Sequence, residues 1–424
     1  MTDFATVDFF MDLPTQLEPN EYFDFLRKQG PVAWLPGRKV VAITGVDEAH
    51  EIYRDPETYS SCNAVMGPLV GFQVEPEGDE IFEFVERHRG ELPMSEYLVT
   101  QDPPKHRDLR TLLMRLFTPK RMAQNEAFMY RLADSLIDEF ISTGSCEFKA
   151  AYAAPFALQV IADLLDVPEE EHAKFRNNFA PPPGTANAQM AQDPLAFISD
   201  IFTRFVEDRR RNPGKDVLTS VATAKLPDGS VPEVPDVVRT ATFLFAAGQE
   251  TTATFMASAM RYLAENPKLQ DRLRSDPSRI PDFIEELLRI EGPVKTTFRL
   301  VRRNTELAGV KLPAGTTVML ANAGVARDPR RFECPYHVDP DRQNASEHIA
   351  FGRGIHACPG GPLARIETRV SLERLLARLS EIRIDEQVHG PSDARRFDYI
   401  PTFILRGLMQ LNIQFTPRKS EVST

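Results

Sequence analysis

The stretch FGRGIHACPGG (351–361) sets one cysteine, Cys358, between a histidine and a proline, in a run of glycines too dense for a helix or an ordinary strand. Glycines at 352, 354, 360 and 361 let the backbone turn tightly and come close to a bulky planar object. Cys358 stands just before PGGPLARIETRVSLERLLARL, which reads as a helix. Amide groups at a helix start favour a thiolate, the form of cysteine that ligates a metal. Pro359 has no N–H, so a hydrogen bond to the sulfur has to come from Gly360 or beyond. Taken alone, the stretch is equally compatible with a glycine-rich turn around a buried, inert cysteine.

Around this stretch the chain is long, acidic and poor in cysteine. Its 424 residues suffice for one large domain or two to three smaller ones. The formal net charge of −11 argues against nucleic acid as the main partner, since phosphate binding needs a basic stripe. The N-terminus MTDFATVDFFMDLP is acidic where a signal peptide is basic, and no apolar run approaches a membrane span of roughly 18 residues. These features lead us to expect a soluble, cytoplasmic protein. Cys62, Cys146, Cys334 and Cys358 make neither a disulfide framework nor a CxxC zinc pattern. The 28 phenylalanines suit a large apolar interior or an apolar ligand.

Periodicity predicts a mainly α protein with small β-sheets. PVAWLPGRKVVAITG (31–45) reads as two strands about a Pro-Gly turn, and 123–142, 195–211 and 281–290 read as helices. Residues 308–320 look like strand, and 396–416 alternate like a hairpin. Residues 61–100 lack clear periodicity, and 180–194 form a Pro-rich loop of the kind that lids an entrance. One long pattern from 233 to 264 is apolar on nearly all sides, which is the mark of a helix running through a core.

Inside that helix lies AAGQETT (246–252), where an interior glycine and a glutamate both cost stability in apolar surroundings. The threonine hydroxyls can bond the carbonyl one turn earlier and open a groove, so glycine, acid and hydroxyl together suit a proton path beside a small-molecule site. A polar patch satisfied by buried water is the plainer reading. In EELLR (285–289), Glu286 and Arg289 stand three apart and share a helix face, where they can pair.

These residues, in this order and at these spacings, resemble the cytochrome P-450 family, the haem-thiolate monooxygenases, in its soluble bacterial form. The similarity runs over nearly the whole chain. The resemblance implies a mainly α fold, a helix-rich triangular prism holding haem between the long central helix and the cysteine loop. It implies a single haem domain over 1–424, with a β-rich part near 30–60 that is not independent. Phe351, Gly352, His356, Cys358 and Gly360 match the haem-binding loop, with Cys358 as the axial iron ligand. Ala247, Gly248, Glu250 and Thr251 match the oxygen-activating segment, and Glu250 and Thr251 are expected to guide protons. Glutamate stands at 250 where many relatives carry aspartate, which changes reach more than chemistry. His106 and Arg110 in DPPKHRDLR (102–110), with Arg299 and His356, match partners of the haem propionates. Glu286, Arg289 and Arg342 match the family's core ion cluster.

The cofactor so implied is haem b, and a thiolate ligand pushes electron density toward iron and favours O–O cleavage. The expected reaction inserts one oxygen atom from O2 into a C–H bond of a small or medium apolar substrate, such as a terpenoid, an aromatic or a steroid-like molecule. Phe243, Ala246, the segment from Pro293 to Thr297 that includes Val294, and Phe403, Ile404 and Leu405 are the expected pocket lining. No flavin or iron-sulfur module fits beside the haem domain in this length, so the resemblance implies a separate ferredoxin and ferredoxin reductase. Arg107, Arg115 and Arg353 could form the docking patch, and a monomer is expected. A peroxide-using enzyme on the same fold and a non-catalytic haem sensor are the alternatives.

Overall fold

The computed structural model describes residues 3–168, 171, 195–226 and 229–418. Its described part is mostly helix with three small sheets, as the periodicity predicts. Two compact units share the chain, one made of Met1–Lys105, Glu285–Cys358 and Tyr399–Gly407, the other of His106–Ile284, Pro359–Asp398 and Leu408–Thr424. The expected lid loop at 180–194 lies outside the described residues.

The first unit is built on a five-stranded sheet. Its strands lie in the order Val32–Trp34, Val40–Ile43, Thr317–Leu320, Thr297–Val301 and Tyr59–Ser60. Pro36 and Gly37 make the expected turn between the first two strands: the Leu35 N–H donates to Val40 O at 2.9 Å, and Gly37 takes φ +67°. Val40–Ile43 is buried along its whole length, since it is paired on both edges, antiparallel to Val32–Trp34 and parallel to Thr317–Leu320. The expected strand over 308–320 resolves into two, Val310–Leu312 and Thr317–Leu320, separated by a turn with Gly315 at φ +85°. The aperiodic stretch 61–100 contains one α-helix, Phe82–His88, and several single turns.

The expected pair of Glu286 and Arg289 holds this unit together. The two side chains are fully buried and meet in a bidentate bridge, Nε to Oε2 at 2.8 Å and Nη2 to Oε1 at 2.7 Å. Arg342 donates to the same carboxylate at 3.0 Å, and so does the Asp339 N–H at 2.9 Å. The Arg289 guanidinium also donates to the carbonyls of Ala326, Pro335 and His337 and lies over the Phe332 ring, 5.0 Å from its centroid. An irregular segment from 326 to 342 is thereby fixed to the helix Ile280–Glu291 without strands of its own.

The second unit centres on the helix Val234–Glu265, which starts with Pro235 in its first turn and ends at Asn266, before Pro267 opens the next helix. Around it stand Pro119–Phe140, Ala154–Leu164, Ala196–Arg211 and Gly361–Arg378. A three-stranded antiparallel sheet orders Ser145–Glu147, Asn412–Pro417 and Leu379–Ile384. The expected hairpin over 396–416 is therefore corrected. The chain does double back, with the Ile400 N–H on Gly407 O and the Met409 N–H on Asp398 O, but regular strand begins only at Asn412. Pro401 brings no N–H to a ladder, and Asn412–Pro417 takes its partners from elsewhere in the chain.

Glu367, on Gly361–Arg378, is 2% exposed, and its Oε2 has no hydrogen-bond partner among the described residues. Burial alone pushes its carboxyl well above the ordinary range.

Two outcomes follow from these buried carboxyls. Arg289→Ala takes the bidentate partner from the buried Glu286 carboxylate and the donor from the carbonyls of Ala326 and Pro335, and should cost about 3–5 kcal/mol in urea unfolding. Glu367 holds its proton in the folded chain at pH values where the unfolded chain has lost it, so its contribution makes stability fall as pH rises above the ordinary carboxyl range. Glu367→Gln should flatten that slope and raise the melting temperature above neutral pH, read from melting curves at a series of pH values.

Candidate functional site

In the first unit the cysteine loop is shaped by two left-handed glycines, Gly352 at φ +61° and Gly354 at φ +67°. A Cβ at Gly354 would stand 2.1 Å from the Tyr53 carbonyl oxygen, so only glycine brings the loop this close to Tyr53. Gly360, at φ −81°, and Gly361, the first residue of the following helix, do not use that freedom, although the sequence gives all four glycines the same appearance. The Cys358 N–H donates to Phe351 O at 2.8 Å, which closes the loop, and Cys358 itself is exposed. Cys358 is thus not the buried residue of the plainer reading. His356 ends a 3₁₀ turn, Gly354–His356, within the loop.

Tyr53 joins this loop to Arg299. The Arg299 guanidinium lies over the Tyr53 ring at 5.4 Å, and the Tyr53 hydroxyl is 3.4 Å from Thr297 Oγ1. Arg299 is 6% exposed and donates to the Phe298 carbonyl at 2.6 Å, and no carboxylate among the described residues is within ion-pair distance of it. Burial is the main cause of its lowered pKa. A buried cation that meets a backbone carbonyl and an aromatic face, but no acid, is suited to an anionic group brought by a cofactor. Tyr53 was invisible to sequence reasoning: in VDEAHEIYR it reads as an ordinary core aromatic at the end of a helix.

Val294, Phe403 and Ile404 lie on one ribbon. An isolated bridge pairs Val294 with Leu405, the Lys295 N–H donates to Ile404 O at 2.8 Å, and the Thr296 hydroxyl donates to Phe403 O at 2.7 Å. Phe403 also packs edge-on against Phe10 at 5.4 Å and against Phe298 at 5.8 Å, so this ring serves the core as well.

In the second unit the middle of the long helix departs from its surroundings. Between Thr240 and Met260 every residue is buried except Phe243, Ala246, Ala247, Gly248, Glu250 and Thr251. Spacings of three and four place 243, 246, 247, 250 and 251 along one face, which is an accessible stripe of mostly small residues in a core helix. Gly248 is turned toward Ala154–Leu164, where an added Cβ would meet Ile161 Cδ1 at 3.4 Å. The Thr251 hydroxyl donates to Ala247 O at 2.7 Å, one turn back, as its position predicts. Thr252 is buried, so Thr251 is the accessible hydroxyl of the two.

Glu250 differs from expectation. Its side chain is 48% exposed rather than buried in apolar helix, and its Oε1 accepts from Lys149 Nζ at 2.8 Å and from the Thr254 hydroxyl at 3.2 Å. Lys149 also donates to Leu408 O at 2.9 Å and is itself largely buried, which fixes the ammonium beside the helix. Nothing in the sequence near 149 signals this partnership across about a hundred residues. His106 is buried and Arg110 half-buried on Lys105–Met114, where a spacing of four puts them on one face.

The sequence pattern of the family described as Cytochrome P450 matches residues 157–393. The monooxygenase PikC of Streptomyces venezuelae is 31% identical over 407 residues, 94% of this chain and 91% of its own. The chain belongs to the cytochrome P450 family. Among solved structures, the substrate-free P450 CYP150A6 of Mycobacterium marinum matches with a TM-score of 0.93 at 51% identity, over 98% of this chain and 100% of that one. The P450 CYP109E1 of Bacillus megaterium, solved with corticosterone, matches with a TM-score of 0.78 at 27% identity, over 95% and 99%. This P450 thus has the family's helix-rich fold, its haem b cofactor and its class of activity, an oxidoreductase that incorporates oxygen. Among the described residues, none of its helices is long and apolar enough to cross a membrane.

Proposed function

We propose that this P450 works as a single cytoplasmic haem domain that hydroxylates a C–H bond of a small or medium apolar substrate, with electrons from a separate ferredoxin and its reductase. The observation that carries the reading is the accessible stripe 243–251 on an otherwise buried helix, because it combines small residues with one acid and one hydroxyl. Haem b, when bound, supplies the reductive activation of O2.

In this reading Cys358 is the iron ligand, exposed on a loop that its own N–H closes on the Phe351 carbonyl. Arg299, with no carboxylate of its own, balances a propionate, and His106, Arg110 and His356 serve the same acids. Phe351, Gly352 and Gly360 shape the loop, Ala247 keeps the accessible helix face slim, and Gly248 lets the helix Ala154–Leu164 pack closely. Glu250 is half in solvent and half held by Lys149, so it can take a proton from water and pass it inward. The Thr251 hydroxyl stands next to it and can turn from the Ala247 carbonyl to donate elsewhere.

Phe243, Ala246, Val294, Phe403 and Ile404 give the substrate apolar contacts. A terpenoid, aromatic or steroid-like molecule fits that chemistry, and corticosterone in CYP109E1 supports a polycyclic one. Arg107 and Arg115 are exposed and offer positive charge to an acidic ferredoxin, while Arg353 is half-buried and holds the Glu347 carbonyl.

The deciding experiment is the visible spectrum of the dithionite-reduced protein under carbon monoxide. A strongly red-shifted Soret band is expected from thiolate ligation by Cys358. A band at the position typical of imidazole or thiol ligation would overturn that assignment and favour a sensor. Thr251→Ala should keep substrate binding but divert electrons from product to hydrogen peroxide or water. Coupling as tight as in the wild type would point instead to a peroxide-using enzyme.

A further inference from the structure

Beside the ribbon that carries Val294, Phe403 and Ile404, the first unit has a small, partly open pocket of about 10 Å³, on the scale of a single small occupant. Asn20, Glu291, Gly292, Lys295, Arg327 and Arg406 line it. Lys295 is fully buried, and the hydrogen bond given for its ammonium is to the Gln16 carbonyl. Arg327, 5% exposed, uses its two terminal nitrogens on the carbonyls of Ala323 and Ile290, at 2.9 and 3.0 Å. Arg406 bridges Glu291 at 2.9 Å and Glu18 at 3.2 Å. The buried Nε of Arg327 and the buried Nε of Arg406 have no hydrogen-bond partner among the described residues.

With Lys295 protonated the charges do not balance. Lys295, Arg327 and Arg406 face two carboxylates, and Glu18 is 63% exposed, so water screens much of its effect. The nearby Arg289 adds repulsion toward Arg327, although Glu286 satisfies it. Burial, reinforced by Arg406 and opposed by Glu18, brings Lys295 down to about 7.

We propose that this pocket binds one small monovalent inorganic anion of halide size, held by Lys295 and by the Nε groups of Arg327 and Arg406. A neutral water would give those N–H groups an acceptor but would leave the excess positive charge buried. A pocket of about 10 Å³ favours a small anion over phosphate. Two of the anion's ligands, Lys295 and Arg406, stand on the same ribbon as the side chains expected against substrate, and the Arg406 N–H donates to Pro293 O at 2.8 Å. An anion here therefore fastens both strands of the ribbon. That last consequence rests on the function proposed above, whereas the site itself does not.

The test compares haem-loaded protein in sodium chloride and in sodium gluconate at equal ionic strength, by melting temperature, together with anomalous diffraction from crystals soaked in bromide. Chloride well above its dissociation constant should raise the melting temperature by a few degrees, and bromide should give a peak in this pocket. Lys295→Met should abolish the chloride response. Glu291→Gln, which removes a competing negative charge, should move half-saturation to about tenfold lower chloride, and it keeps the test decisive if Lys295→Met does not fold. Equal melting in the two salts, a pocket without bromide, bromide bound without any effect on stability, or a chloride response retained in Lys295→Met would each overturn the site. Failure of the carbon monoxide test would leave all these readouts in place, so the two proposals fail separately.

Discussion

A single buried carboxylate, that of Glu286, fixes the part of the first unit that secondary structure leaves undefined. The chain from 326 to 342 has no strand and little helix, yet its carbonyls at 326, 335 and 337 all converge on Arg289, and Arg289 is held in place by Glu286. Removing water from such a pair is costly, and the cost is offset only when every donor finds an acceptor. Here the Nε and both terminal nitrogens of Arg289 find acceptors, and the carboxylate takes two guanidiniums and one amide. The cluster thus does for an irregular segment what a ladder does for a sheet, and the cysteine loop follows that segment directly in the chain.

The second constraint is steric. A protein that is to present a helix from its own core to a ligand has to thin that helix locally, and this chain does so with Ala246 and Ala247, while Gly248 lets Ala154–Leu164 approach from the side. The same stretch would be a weakness in a purely structural helix, because glycine and a carboxylate both disfavour it. Lys149 resolves the second difficulty without filling the stripe, since it approaches Glu250 from a neighbouring element and anchors itself on the Leu408 carbonyl. In the loop the same logic appears as Gly354, whose missing Cβ is what lets the chain pass the Tyr53 carbonyl.

What the sequence disclosed and what it hid follow from this physics. The Glu286–Arg289 pair was legible because a spacing of three puts the two on one helix face, and Glu250 and Thr251 stood out as polar residues in an apolar helix pattern. The long helix was legible from its apolar pattern, and its bounds came within a residue of Val234–Glu265. Tyr53, Lys149 and Lys295 were hidden because each matters through a partner far along the chain, and a tyrosine in a helix or a lysine in a loop carries no local anomaly. The strand at 412–417 was read as half of a hairpin for the same reason, since its partners, Ser145–Glu147 and Leu379–Ile384, are remote. Among the glycines of 351–361, only backbone angles could separate the two that need left-handed geometry from the two that do not.

Buried cations divide into two kinds in the first unit, and the division has functional meaning. Arg289 and Arg342 both hydrogen-bond the carboxylate of Glu286, and Arg89 bridges the buried Asp102. Those guanidiniums are complete within the chain, so their task is structural. Arg299 has an aromatic face and a carbonyl but no acid, and the Lys295, Arg327 and Arg406 group has, with Lys295 protonated, more positive than negative charge. Desolvation penalises every buried charge alike, so a fold can keep an unmatched one only if something outside the chain completes it or if the group gives up its proton. Arginine does not readily take the second course. Arg299 therefore calls for an anion that the protein does not encode, as a haem propionate would be. The same reasoning, applied to Arg327 and the unsatisfied Nε groups around it, makes the pocket beside the 293–297 ribbon a place for a second and smaller one.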